Sequence, residues 1–217
     1  MVDDTFYGTY IRFTTSSSSE GALLTGADNL VGDELSFAFE QDEKGNDCVI
    51  LSNKFGKRIG KLAPEETSHL QVLSARGWTI RIVLSLVVAA QGHDGIDYWG
   101  EVLLLCNDAR NNDAFEVFAT NIKTMLQEGI RPNIDLGAQG INQVIKSNGN
   151  WKPTQRSPKP KLNKKEVILK DKLSAKEKLI EDGRKGNPGC FIVSVVFDAA
   201  VIFGIIALLA HFVFHLF

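Results

Sequence analysis

The chain has 217 residues, a formal net charge of −2 at pH 7 and 44% hydrophobic residues, which is ordinary for one globular domain, or one domain plus a tail. Its three cysteines, Cys48, Cys106 and Cys190, lie far apart and form no CxxC pair. This spacing argues against a disulfide framework or a zinc site and fits a reducing cytoplasm. The first ten residues are acidic and show no positive flank before an apolar run, so no signal peptide is predicted.

Charge is distributed unevenly along the chain. Residues 1–151 carry a net charge of −8, residues 152–186 carry +7, and only Asp198 is charged after that. An acidic head is therefore followed by a basic neck and an apolar tail. The predicted domains are a β-barrel (1–111), a helical extension (112–150), a basic Pro/Lys-rich neck (151–189) and a transmembrane tail anchor (190–217).

The head shows a series of strand signals interrupted by one helix. A helix opens at Pro64 with two acids in its first turn and ends at Gly77. Runs of aromatic, β-branched or alternating residues predict strands over 6–13, 34–39, 47–51, 58–62, 78–89 and 98–105. A mostly β order with one inserted helix is consistent with a small barrel, so the predicted fold class is α+β.

Residues 30–89 contain a series of short motifs in a characteristic order. VGDEL (31–35) precedes the second strand and NDCVI (46–50) forms the third. GKRIGKLAP (56–64) leads into the helix, and Gly77 precedes the long strand. This order resembles a HIRAN domain. HIRAN domains are small β-barrels found with DNA-remodelling and repair enzymes or alone, and the family grips single-stranded DNA ends, so the resemblance implies a barrel with such a ligand.

The same residues also have an explanation that needs no DNA. Gly56 and Gly60 permit tight turns, and Ile59 and Leu62 are typical core residues, so the motifs argue for the barrel more than for its ligand. The Ser-rich run TTSSSSEGALL replaces the ordered first loop that usually helps to form the ligand pocket of the family. The net charge of the head also opposes DNA binding, which needs positive charge to release counterions.

A candidate nucleic-acid site combines aromatic rings with a local basic strip. Stacked rings and phosphate contacts are how proteins hold short single strands. The alternative is that the aromatic residues belong to the core and the basic residues are solvated. The candidate nucleic-acid-binding residues are Tyr7, Tyr10, Phe13, Lys54, Lys57, Arg58 and Lys61.

Two amphipathic helices are predicted after the strands, over 112–129 and 135–147. In the first, Phe115, Phe118 and Ile122 recur at helical spacing, and Gly129 ends it. We expect the two packed helices to cover an open side of the barrel. Their apolar faces could instead form a groove for a partner.

The neck is predicted to be flexible. Residues 151–163 hold three prolines without hydrophobic periodicity, which is typical of an extended, solvated linker. Ser174 and Glu177 then fit a capping box, and Gly183 is a plausible end for the short basic helix that follows. This helix either rests on anionic lipid or is a solvated charged spacer.

The apolar tail, residues 190–217, predicts a single transmembrane helix. It contains no Lys, Arg, Glu, Asn, Gln or Pro and is long enough to cross a bilayer. The basic neck before it predicts a single-pass, tail-anchored membrane protein with the N-terminal domain on the cytoplasmic side. The alternative is a buried core helix. Asp198 is either a proton or helix-contact site or lies at the interface, and His211 and His215 either hold a metal or stay neutral.

The sequence lacks the motifs GxxxxGK[ST], HExxH, GxSxG and GxGxxG. We therefore expect a non-enzyme without cofactor, resident metal or small-molecule substrate. The first hypothesis is a membrane-tethered binding module that, by resemblance, holds single-stranded nucleic-acid ends. The alternative is a membrane adaptor that holds another protein through the barrel or the 112–147 helices. The expected partners are thus a lipid bilayer and either single-stranded DNA or another protein.

Overall fold

A computed structural model describes residues 5–42, 44–92, 95–184 and 201 of the chain. The strands are β1 (Phe6–Thr14), β2 (Glu34–Gln41), β3 (Asp47–Ser52), β4 (Arg58–Leu62), β5 (Thr79–Gln91), β6 (Ile96–Asn107) and β7 (Glu166–Lys170). The helices are α1 (Ser18–Thr25), α2 (Pro64–Ala75), α3 (Asn112–Gln127), α4 (Gly137–Lys146) and α5 (Ala175–Arg184). The chain divides into two compact units, residues 1–173 and 174–217.

Six strands of the first unit form a closed antiparallel barrel in the order β2-β3-β4-β1-β6-β5, and pairing of β2 with β5 closes it. β1 is paired with β6 along its whole length, from Phe6 opposite Asn107 to Thr14 opposite Trp99. On its other side β1 meets β4 at only two positions, Phe13 and Thr14. β7 adds a seventh strand on the outside of β5. The predicted small barrel with one helix inserted before its longest strand is present.

Two hydrophobic cores lie on opposite faces of β1, because successive side chains of a strand point to opposite faces. Ile11 and Phe13 point into the barrel, where they join residues from the other strands and Leu70 and Leu73 of α2. Phe6 points outward and packs with the apolar face of α3, including Phe115 and Phe118. The outer core also contains Ile141 and Val144 of α4, so α3 and α4 cover the barrel as the sequence predicts.

Two elements were not expected from the sequence. α1 forms within the Ser-rich run, where the Ser17 hydroxyl accepts a hydrogen bond from the Glu20 N–H and Glu20 Oε2 accepts one from the Ser16 N–H. β7 lies within the predicted neck and pairs with residues 87–90 of β5. Lys170 at its end donates hydrogen bonds to the carbonyls of Gly26 and Asn29, 2.7 and 2.8 Å away.

The prediction of a flexible, solvated neck is wrong for its first part. Trp151 packs against the outer core and stacks on Phe118, and Pro153 is buried. The backbone around Arg156 pairs with that of Pro132. The three prolines suggested a linker, yet this segment packs against the barrel unit. In the second unit, the predicted capping box is confirmed, because the Ser174 N–H and hydroxyl both donate to Glu177 Oε2.

The predicted transmembrane helix is not supported, and this part of the fold class is corrected. A bilayer-spanning helix needs about 20 mainly apolar residues. No helix within the described ranges is long and apolar enough to cross a membrane. With this finding the tail-anchored, single-pass membrane location with a cytoplasmic head is corrected as well. Residues 190–217, on which that prediction rested, lie outside the described residues except for Val201, and so do Asp198, His211 and His215.

Candidate functional site

The main irregularity of the barrel is the long unpaired edge of β1. β4 ends at Leu62 because Pro64, which has no N–H to donate to a sheet, opens α2 two residues later. β1 continues beyond the last β4 pair, Phe13 with Leu62, for seven more residues. Residues 6–12 of β1 are therefore paired along one edge only.

The register shows which backbone groups face the unpaired edge. The Asp108 N–H donates to the Thr5 carbonyl, so the pair Thr5–Asp108 is of the hydrogen-bonded type. These pairs alternate in an antiparallel ladder, so odd-numbered residues of β1 bond to β6 and even-numbered residues point the other way. Gly8 and Tyr10 accordingly direct their N–H and C=O groups to the edge that β4 does not reach. We name this stretch, residues 6–12, the β1 edge.

Two open cavities lie in sequence along the β1 edge. The first has a volume of about 460 Å³ and is bordered by residues 6–9 of β1 and by the segment 134–137 with Ile141. The second has a volume of about 380 Å³ and is bordered by residues 10–14 of β1, by Lys61 and Ala63, and by Glu65 and Glu66 at the start of α2. Together they border the strand from end to end, and we name the two cavities the groove.

One wall of the groove is the segment 132–136, which packs against the outer face of β1. The Tyr10 hydroxyl donates a hydrogen bond to the Pro132 carbonyl over 2.9 Å. Gly8 lets this wall come close, because a β-carbon at position 8 would be 2.0 Å from Cγ2 of Ile134. The glycine is thus required by the approach of Ile134.

The opposite wall is formed by α2. The His69 ring packs edge-on against the Tyr7 ring, with 4.5 Å between the ring centroids. Burial raises the pKa of Tyr7, and the negative charge of Glu66 raises it further. The Tyr7 side chain therefore remains a neutral phenol at neutral pH.

A buried network of charged and polar side chains packs against Tyr10 of the β1 edge. Arg131 forms an ion pair with Glu101 of β6 and donates to the Ser85 hydroxyl over 3.1 Å. The exposed fractions of the Arg131 and Glu101 side chains are 12% and 7%. The guanidinium also covers the Tyr10 ring, with its Cζ atom 3.5 Å from the ring centroid. Burial raises the pKa of Tyr10 despite this positive neighbour.

The structure separates the aromatic residues of the predicted nucleic-acid site. Phe13 is 1% exposed and belongs to the barrel core. Tyr7 and Tyr10 both border the groove, but their side chains point to opposite faces of the strand, and the Tyr10 ring lies under Arg131. The three rings therefore do not form one stacking surface.

The predicted basic strip is divided as well. Arg58 lies 2.9 Å from a Glu20 carboxylate oxygen and 3.7 Å from one of Glu40, and Lys57 lies 3.9 Å from Asp28. Lys54 lies over the exposed ring of Phe55 at the β3–β4 turn. Of the four predicted cations, Lys61 borders the groove. Acidic neighbours thus offset the charge of Lys57 and Arg58.

The apolar face of α3 does not offer the groove that the sequence left open as an alternative for the helices 112–147. Phe115, Phe118, Ile122 and Leu126 of α3 are each at most 3% exposed, because their face is used in the outer core. Val117 is the large hydrophobic residue that α3 exposes, at 41%. The apolar face of α3 is thus covered by the outer core.

Sequence reasoning missed the groove, although one signal was available. The predicted lengths of strands 6–13 and 58–62 differ, and Pro64 explains why the second strand ends early. The neighbour relation could not be inferred, because β1 and β4 are separated by two strands along the chain. Comparisons with protein-family models, with curated proteins and with solved structures found no match for this chain.

Proposed function

We propose that the barrel is a non-enzymatic binding module that holds another protein by adding an extended peptide of that protein to the β1 edge. The observation that carries this proposal is the row of backbone groups on Gly8 and Tyr10 that face two open cavities. In such strand addition the main chain supplies affinity and the pockets beside it supply specificity.

The dimensions of the edge suit a short peptide. Seven residues of β-strand extend over about 20 Å, which is room for a bound segment of six or seven residues. The side chains of an added strand alternate between the two walls, one set toward α2 and the other toward 134–137. The edge itself is short and lies between these walls, which protects it from unspecific pairing with other sheets.

The first experiment selects peptides that bind the full-length chain from a displayed random library and then methylates the backbone of the best binder, one amide at a time. Every second N–H of an added strand bonds to β1, so we expect affinity to fall at alternate positions only. Loss of one such bond corresponds to roughly ten-fold in the dissociation constant. Equal tolerance of methylation at all positions would contradict strand addition.

A pair of protein variants tests the same contact from the other side. Arg12→Pro removes an N–H that faces the unpaired edge and leaves the hydrogen bonds to β6 intact. Arg12→Ala removes the same side chain, and with it the contact between the guanidinium and the Trp99 ring, but keeps the backbone N–H. We expect the proline variant to bind the selected peptide roughly ten-fold more weakly than the alanine variant. Equal affinities, with both variants folded by circular dichroism, would argue against the β1 edge.

The nucleic-acid end that the HIRAN resemblance implies is the second candidate. Support for it comes from the β3–β4 turn, where Phe55 is 56% exposed beside Lys54, a pairing suited to stacking and phosphate contact. A short single-stranded oligonucleotide added to the full-length chain at low salt tests it by fluorescence anisotropy. Binding that weakens in Lys54→Ala and with rising salt would favour this function. Absence of binding at low salt would exclude it.

A further inference from the structure

The groove along the β1 edge carries carboxylates that no cation of the described chain pairs with. Asp135 borders the first cavity, and Glu65 and Glu66 border the second. Their side chains take part in no ion pair among the described residues. Both walls therefore carry carboxylates at points that the side chains of an added strand would reach.

Two cations also border the second cavity, and their positions limit how far they offset these acids. The Arg12 guanidinium lies over the Trp99 ring, 4.0 Å from its centroid, and 3.9 Å from the Glu166 carboxylate. Glu166 thus offsets part of the charge of Arg12 on the outer face of the barrel, while 53% of the Arg12 side chain is exposed. Lys61 remains at the far end of the groove, opposite Thr14, where β1 and β4 are already paired.

We infer that the peptide bound at the β1 edge carries lysine or arginine side chains on both of its faces, where those on one face meet Glu65 and Glu66 and those on the other meet Asp135. This inference rests on the proposed function and specifies its partner as a protein with a basic extended segment. An ion pair between partly solvated side chains contributes little by itself, but several of them on a preformed edge decide which sequence binds.

Three matched peptides test the inference on the full-length chain by isothermal titration calorimetry. They share a valine-rich sequence and differ at three positions, two on the face toward α2 and one on the face toward 134–137, which carry lysine, glutamine or glutamate. We expect the lysine peptide to bind roughly five-fold more tightly than the glutamine peptide, and the glutamate peptide to bind more weakly than both. The advantage of lysine should shrink as salt is raised, because the carboxylates are solvated.

Charge variants of the groove assign the preference to these residues. The double change Glu65→Gln and Glu66→Gln should reduce the lysine-over-glutamine ratio toward one, and Asp135→Asn should reduce it further. Glu116→Gln is the matched control, since Glu116 is an exposed acid of α3 that does not border the groove. It should leave the ratio unchanged.

The outcomes separate the two proposals. If all three peptides bind with similar affinity, the basic partner is overturned while strand addition stands. The basic partner is likewise overturned if the groove variants leave the preference for lysine intact. If none of the peptides binds, and the library selection also yields no binder, the peptide-binding function fails together with this inference.

Discussion

At the scale of single residues, Glu101 and Arg131 form a largely buried ion pair behind β1. Both side chains are largely buried, so removing one charge leaves the other without compensation. We expect Arg131→Met to lower the free energy of unfolding by about 3 kcal/mol in urea titrations, through the stranded carboxylate and the lost contact with the Tyr10 ring.

A second substitution shows whether the stranded charge is the cause. Adding Glu101→Leu to Arg131→Met should restore most of the lost stability, because an apolar pair of similar volume avoids the cost of burying charge. If the double variant is less stable than Arg131→Met, the ion pair is not the source of the effect. No sequence pattern indicated this pair, since nothing local links Arg131 with a strand residue 30 positions earlier.

Cys106 gives a pH-dependent prediction at the same scale. Burial raises the pKa of its thiol from 9.0 to about 12. The unfolded chain thus ionises first, so the folded state loses relative stability as the pH rises from about 9 toward 12. We expect the free energy of unfolding to fall more steeply between pH 9 and 10 in the parent than in Cys106→Ala, by up to ~1.4 kcal/mol per pH unit. Parallel pH profiles would contradict this account.

At the scale of elements, the sequence predicted those helices whose formation depends on local hydrophobic spacing and on capping residues. α3 follows from the spacing of Phe115, Phe118 and Ile122, and α2 from Pro64 and the two acids after it. α1 was missed although Ser17 and Glu20 have the spacing of a capping box, because the serines around them suggested a loop. β7 could not be read locally, since a five-residue strand depends on its partner, β5.

The segment after α4 yields a prediction about elements that the sequence suggested were unstructured. Trp151 stacks on Phe118 in the outer core, so Trp151→Ala should lower the free energy of unfolding by roughly 3 kcal/mol. Lys152→Ala, at the exposed neighbouring position, is the control and should change it by less than about 0.5 kcal/mol. Equal, small effects of both changes in urea titrations would contradict this prediction and indicate that residues 151–157 are a linker.

At the scale of the whole molecule, the sequence predicted the barrel but did not predict the unpaired β1 edge. Alternating strand patterns and an early Pro64 lead to a small β structure, but the place where β1 extends past β4 depends on which strands become neighbours. That relation results from contacts between residues far apart in sequence. The candidate aromatic residues fail to assemble for a local reason, because Tyr7 and Tyr10 are three positions apart and therefore lie on opposite faces of one strand.

The most direct test of the central claim is amide hydrogen exchange, measured by NMR on the full-length chain with and without the selected peptide. The amides of Gly8 and Tyr10 face the unpaired edge, whereas those of Thr9 and Ile11 already bond to β6 and serve as internal controls. Strand addition predicts that saturation with peptide slows exchange at Gly8 and Tyr10 and leaves Thr9 and Ile11 unchanged. Peptide binding with exchange at Gly8 and Tyr10 as fast as in the free protein would contradict it.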